Sequence, residues 1–346
     1  MPQVRGREAG THFFDLFLQD VAQRLTCDMI LVTGAGGFVG AHLLKRLSKA
    51  GHPVRALVRS RADFERLRSA ASSVCRATIT DTSSLKAAMQ GVEQVLHLAG
   101  TFRENSRETF EAVHQEGTRR LLAAAQQANV QHVVYVSTLG AAPDRIYPFV
   151  RSKWLGEGEV RKSGLPFTIL RPSLLFGEGD YFLTPLTKLL WGCPYAFIPG
   201  YERLRCQPLW VGDLVSCLLR TVESGVGKGE VISLAGMEQI TYEAVVDLVQ
   251  KRLGLTRPKL RLPISLAASL TLLLERLLSS PPLRSGILDI WRLGAITDRQ
   301  SVRKAFGFAP MPISEGVRYL LSSDGPPSRR RDRRERAAAP DRTTDR

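Results

Sequence analysis

The stretch Met29-Ile30-Leu31-Val32-Thr33-Gly34-Ala35-Gly36-Gly37-Phe38-Val39-Gly40 decides the fold. A short apolar, β-branched run ends in glycines at 34, 37 and 40, and a helical pattern opens directly behind them, which predicts a strand, a tight turn and a helix. Gly34 permits the turn, Gly37 lets backbone N–H groups approach an anion, and Gly40 lets the helix pack closely on the sheet. The helix N-terminus adds partial positive charge. Gly34, Gly36, Gly37, Phe38, Val39 and Gly40 are therefore candidate ligands of a dinucleotide pyrophosphate.

Outward from this loop, short β-branched runs alternate with helical patterns, the signature of a parallel sheet with crossover helices. The predicted strands are Ile30–Thr33, Val54–Val58, Cys75–Thr80, Gln94–Leu98, His132–Ser137 and Phe167–Leu170, with helices near 38–50, 61–71, 83–90, 106–129 and 149–163. The fold class is α/β: a Rossmann doubly wound parallel sheet with a smaller C-terminal α/β lobe. After Arg171-Pro172 the pattern loosens into helices near 184–191, 212–222 and 241–254 and a short strand at 230–234. The expected division is an N-terminal extension over 1–28, with Met29 an alternative start, a dinucleotide-binding core over 29–175, a smaller lobe over 176–323 with some segments completing the core, and a basic tail over 324–346.

A chain of 346 residues with 44% hydrophobic content can bury a sizeable core. The cysteines at 27, 75, 193, 206 and 217 form no C-x-x-C pair and have no histidine at metal-ligand spacing, so a reduced, cytoplasmic chain without metal is expected. The net charge is +15, but residues 325–346 hold eight arginines against four acids, and no nucleic-acid motif accompanies them. A solvated tail is expected rather than nucleic-acid binding. Residues 13–25 have apolar positions at helical spacing, yet Asp15, Gln19 and Asp20 interrupt them too often for a secretory signal or a membrane span. The most apolar stretch, 264–283, is broken by Glu275 and Arg276 before it reaches bilayer length. It reads first as a core or dimer-packing helix and second as a helix lying on a membrane surface, with the basic tail as an electrostatic aid.

The G-x-x-G-x-x-G spacing resembles the short-chain dehydrogenase/reductase superfamily, and the likeness extends from residue 29 to about 215. Asp81, His97-Leu98-Ala99-Gly100, Gly117-Thr118, Ser137-Thr138, Ser152-Lys153, Arg171-Pro172-Ser173 and Phe176-Gly177 match its landmarks in order. Together with Tyr135–Ala141, Arg151–Glu157 and Gln207–Leu214, these resemble the atypical, epimerase/dehydratase-like members, and most closely the nucleotide-binding accessory subunit of respiratory complex I and its bacterial relatives. The resemblance implies that Asp81 contacts the adenine and that Leu98, Ala99 and Gly100 line the cofactor. Beyond the second strand stand Arg59-Ser60-Arg61 rather than an acid for a ribose hydroxyl. Arg59 can pair with a 2′-phosphate, which favours NADP(H) over NAD(H); the alternatives are stacking on the adenine or facing solvent.

The same resemblance implies a catalytic tyrosine four residues before a lysine, with a hydroxyl opposite. Here the lysine is Lys153 and the position four before it is Phe149, so the phenol is absent. Tyr147 lies six residues before Lys153, about 120° away around a helix, and is a poor substitute. Thr138, with Ser137 as the alternative, is the candidate hydroxyl, unless both cap the next turn. His114 could supply an acid or be a satisfied helix histidine. Three readings follow: an oxidoreductase or isomerase acting on a small or nucleotide-linked substrate, a catalytically quiet NADP(H)-binding scaffold or redox sensor with a protein partner, and a protein peripheral to the inner face of a membrane.

Overall fold

Alternate residues of the first strand, β1 (Met29–Thr33), serve two cores: Ile30 and Val32 pack on one face of the sheet, Leu31 on the other. Both faces are covered because successive side chains point oppositely and each face carries helices. The computed structural model describes residues 29–105, 108–143, 146–200, 205–278 and 284–321. The extension 1–28, the tail 324–346 and residues 279–283 of the apolar stretch lie outside the described residues.

From β1 the chain runs through α1 (Phe38–Lys49), β2 (Val54–Val58), α2 (Arg61–Leu67), β3 (Ser73–Arg76), α3 (Thr82–Ala88), β4 (Val92–His97), α4 (Gly117–Gln127), β5 (His132–Val136), α5 (Pro148–Lys162) and β6 (Phe167–Pro172). It continues with α6 (Leu183–Gly192), α7 (Val211–Ser224), β7 (Val231–Leu234), α8 (Tyr242–Leu253), α9 (Ile264–Leu277), α10 (Ser285–Leu293) and α11 (Ser301–Phe306), with short paired segments between them. One parallel sheet has the order β7-β6-β5-β4-β1-β2-β3. The sheet thus has seven strands rather than the six expected. The strand near 230–234 pairs in parallel with β6, and α7 packs its Leu214, Cys217 and Leu218 with Leu43, Leu44 and Leu47 of α1.

Three local expectations need correction. The third strand ends at Arg76, not Thr80. Beyond it Thr78 and Thr80 bond each other's hydroxyls and Asp81 N–H donates to Thr78 O, so local side-chain bonds replace the ladder at a sheet edge. The helix expected over 106–129 begins late, because Glu104 accepts from Phe110 N–H at 2.7 Å and Thr109 Oγ1 from Ala112 N–H at 3.1 Å. A wide turn, Ala112–Glu116, then leads into α4. Finally, the described part of the apolar stretch is not a core helix: α9 buries Ala267 and Thr271 but leaves Leu266, Leu270, Leu273 and Leu277 exposed.

A second apolar cluster unites Phe176, Leu183, Leu186, Val245, Val246 and Trp291 with the final helical turns. It holds α10 against α5, where Gly286 N–H donates to Phe102 O at 3.0 Å and Asp289 accepts from Phe149 N–H at 3.3 Å. The strand order reverses between β1 and β4, and the site lies in that crevice, outside the carboxyl ends of the strands.

Candidate functional site

A cleft of about 700 Å³ runs from the glycine loop, past the ends of β4 and β5, to α10. At the loop Gly34 has φ +67°, and a Cβ there would stand 2.8 Å from Ala99 N, so the turn and the close approach of the β4 loop both require glycine. A Cβ on Gly40 would strike Gly34 O and Ala35. The third glycine therefore serves the loop's own packing more than the sheet's. The first turn of α1 has neither a side-chain cap nor an acid, and Gly36, Gly37, Phe38 and Val39 line the cleft there, with Gly37 N–H donating to Gly34 O at 3.0 Å. That is a fitting cradle for a pyrophosphate.

At the end of β2, Arg59 lines the cleft and is ion-paired with Glu108 across it. Asp63, which the reading of Arg59-Ser60-Arg61 passed over, also lines it. A Cβ on Gly36 would lie 2.7 Å from the Asp63 carboxyl carbon. Burial works against this carboxylate, but hydrogen bonds from Arg66 and Ser60 and the charges of Arg66 and Arg59 outweigh it and hold its pKa below the usual range. Arg66 also donates to Gly36 O at 2.9 Å, tying α2 to the loop. Asp81 does not reach the cleft: its carboxylate caps α3, accepting from Ser83 N–H at 3.1 Å and Ser83 Oγ at 2.8 Å. Thr78, Ile79 and Thr80 line the cleft in its place.

Behind Leu98, Ala99 and Gly100 lies a buried relay. Ala99 N–H donates to Thr33 Oγ1 at 3.2 Å, and Thr33 bonds His97 Nδ1 at 2.7 Å. Thr118 donates its only proton to His114 O at 2.7 Å and so accepts from His97 Nε2, 2.9 Å away. His97 is thus the Nε2–H tautomer, and burial, aided by the charge of Lys153, pushes its pKa down to about 3. His114 Nε2 accepts from Thr101 N–H at 3.1 Å, so Nδ1–H donates to Ser152 Oγ at 2.8 Å, which donates to Phe149 O at 2.7 Å. Burial first, then Lys153 and His97, lower the His114 pKa well below its usual value. His114 borders the cleft as a satisfied, neutral ring.

Lys153 Nζ donates to Val136 O at 2.7 Å and lies 4.7 Å from the Tyr135 ring centre. Burial pushes its pKa down to about 7 against the opposing pull of Glu157. Ser137 is committed elsewhere, donating to buried Glu157 at 2.6 Å, whose carboxylate also takes two bonds from Arg171. Thr138 lines the cleft beside Ser137. Phe149 lies buried at the cleft, stacked on Phe102 at 5.0 Å and edge-on to Phe110 and His114. Tyr147 is the N-cap of α5, with Pro148 following; its ring faces the Arg292 guanidinium and is not among the cleft's lining residues. It does not replace the phenol. Arg284, stacked on Tyr181 at 4.1 Å, closes the far end with Ile287 and Ile290. These second-lobe residues carry no sequence pattern that links them to the loop 250 residues earlier.

Comparison with known proteins agrees with this geometry. A family model described as NAD(P)H-binding matches residues 34–184. The chain is 30% identical over 226 residues to NADH dehydrogenase [ubiquinone] 1 alpha subcomplex subunit 9, mitochondrial, of Dictyostelium discoideum, covering 63% of this chain and 62% of that protein. It is 28% identical over 273 residues to sterol demethylase protein B of Methylococcus capsulatus, covering 71% and 81%. The chain thus spans less than two thirds of the first relative's length. In fold it superposes on an NADPH-dependent quinone oxidoreductase from Escherichia coli, solved with NADPH, with a TM-score of 0.67 and 22% identity over 85% of this chain and 100% of that one.

Residues 34–184 thus match an NAD(P)H-binding family, and the fold and glycine loop resemble those of the short-chain dehydrogenase/reductase superfamily. Its relatives include that NADH dehydrogenase subunit and the sterol demethylase protein, each similar over part of its length.

Proposed function

We propose that the protein binds NADP(H) along the cleft and acts as an oxidoreductase, with isomerase chemistry open to the same site, on a small carbonyl substrate. The observation that carries this reading is the junction of the uncapped first turn of α1 with the Leu98–Gly100 loop, which ends beside Lys153 and Thr138. Arg59 supports NADP(H). Asp63 does not oppose it, since Arg66 and Ser60 already occupy that carboxylate. When bound, the nicotinamide would supply or accept the hydride. Thr138 would orient the substrate oxygen, and Lys153, with a pKa near neutrality, would hold the proton that a phenol holds elsewhere.

A second reading, a catalytically quiet dinucleotide-bound scaffold, is favoured by Phe149 itself. The likeness to a subunit of NADH dehydrogenase supports a protein partner for that form. Mass spectrometry of the nucleotide that copurifies with the full chain, followed by NADPH and NADH titrations and single-turnover oxidation with carbonyl substrates, separates the two. Retention of NADPH with turnover supports the first reading, retention without turnover the second, and tighter NADH binding rejects the NADP(H) assignment.

A further inference from the structure

The helix α9 has three faces. At about 100° per residue, Ala267, Ala268, Thr271 and Leu274 point one way, and the first three pack on or are buried in the second lobe. Ser265, Ser269 and Arg276 form a largely polar shoulder that also carries Leu272, 52% exposed. Between these, Leu266, Leu270, Leu273 and Leu277 recur within an arc of about 60°, and they are 52%, 44%, 51% and 70% exposed. Scattered exposed leucines need no explanation, but a continuous leucine stripe on one helix does. Stability of the fold does not require it, because the inward face is a different one.

The position of the stripe is informative. The C-terminal end of α9 is tied to the cleft at two points: Arg103, a lining residue, donates to Leu278 O at 3.5 Å, and Glu275 accepts at 2.7 Å from Ser285 N–H, next to the lining residue Arg284. The nearby end of the cleft is walled by Phe102, Phe149, Tyr181, Ile287 and Ile290. The stripe thus stands on a helix that is hydrogen-bonded to the apolar end of the cleft.

We propose that the leucine stripe of α9 docks in the plane of an anionic membrane surface and opens the apolar end of the cleft to a ligand dissolved in lipid. No helix among the described residues is long and apolar enough to cross a bilayer, so the contact is peripheral. Charge selects the occupant. The chain carries +15, and residues 325–346 alone contribute eight arginines against four acids. A second copy would bring two chains of +15 together, whereas anionic headgroups would complement that charge. The docking surface stands independently of catalysis; the lipid-dissolved ligand rests on the cleft function proposed above.

The test is co-sedimentation of the full chain with vesicles of mixed phosphatidylglycerol and phosphatidylcholine, beside NADPH titration in their absence. Wild type should sediment with the mixed vesicles and less with phosphatidylcholine alone or at high salt. Leu270→Ser with Leu273→Ser should weaken sedimentation about tenfold or more, with melting temperature and NADPH affinity unchanged. Leu266→Ser with Leu277→Ser provides a second variant should the first not fold. No vesicle binding, or binding indifferent to both leucine pairs, overturns the proposal. So does a dimer in sedimentation velocity that the leucine pairs dissociate. Vesicle binding by a chain that fails to bind NADPH refutes the cleft function instead and leaves the docking surface standing.

Discussion

At the loop end of the cleft the recognition groups are backbone atoms, while at the Phe149 end they are single side-chain atoms. Gly34, Gly37, Gly40 and the Ala99 approach form one interlocked unit in which an added Cβ meets main chain. At the other end a phenylalanine stands where the superfamily that the chain resembles places a phenol, and the space is filled by packed rings. Binding and chemistry are therefore separable in this fold. A backbone cradle fails only by steric damage, whereas proton transfer is lost by removing one oxygen.

The comparison can be broken at the loop first. Gly40→Val would drive side-chain atoms into Gly34 O and Ala35, and dinucleotide affinity should fall by more than about a hundredfold, with a loss of stability of about 1–3 kcal/mol. Calorimetric titration and thermal unfolding check both; near-normal affinity would show that the pyrophosphate lies elsewhere. Phe149→Tyr sharpens the other end. If the site is a reductase lacking only its phenol, turnover should rise about a hundredfold, while affinity for NADPH stays level. Unchanged turnover in single-turnover assays would favour the quiet scaffold.

Arg59→Ala is expected to weaken NADPH about tenfold through loss of a charge-assisted bond and to leave NADH nearly unchanged. Equal losses for both would remove the 2′-phosphate argument. The smallest effect concerns pH. The Lys153 pKa, about 7 in the fold against 10.5 for the free side chain, means that the unfolded chain binds more protons between those values. Stability should rise with pH across that window through this group and be independent of it below 7. In Lys153→Met that contribution disappears, and urea midpoints at about pH 7 and about pH 9 reveal the difference.

Much of the loop end was legible because its signals are local. A β-branched run, three glycines and a helix lie within twelve residues, and the steric reasons for Gly34 act over the same distance. Arg59 lines the cleft, and Asp63 and Arg66 carry no sequence signal for their place beside it. They reach Gly36 only because α2 turns back toward the loop. Asp81 was assigned from order along the chain, and a local Asx contact with Ser83 overrides that assignment. Ser137 and Thr138 are adjacent in sequence and both line the cleft, and only the buried Glu157, fixed by Arg171 and Arg161, shows that the Ser137 proton is already committed.

By itself the sequence determined the parallel α/β class, the phosphate-binding turn, the loss of the phenol at Phe149 and the basic balance of the chain, because each depends on residue type or on spacing within one element. The tertiary structure decided the seventh strand, the tautomers of His97 and His114, the depressed Lys153, the exclusion of Tyr147 and the exposure of the α9 leucines. Each of these depends on what stands opposite a side chain in space, which periodicity along one chain does not encode.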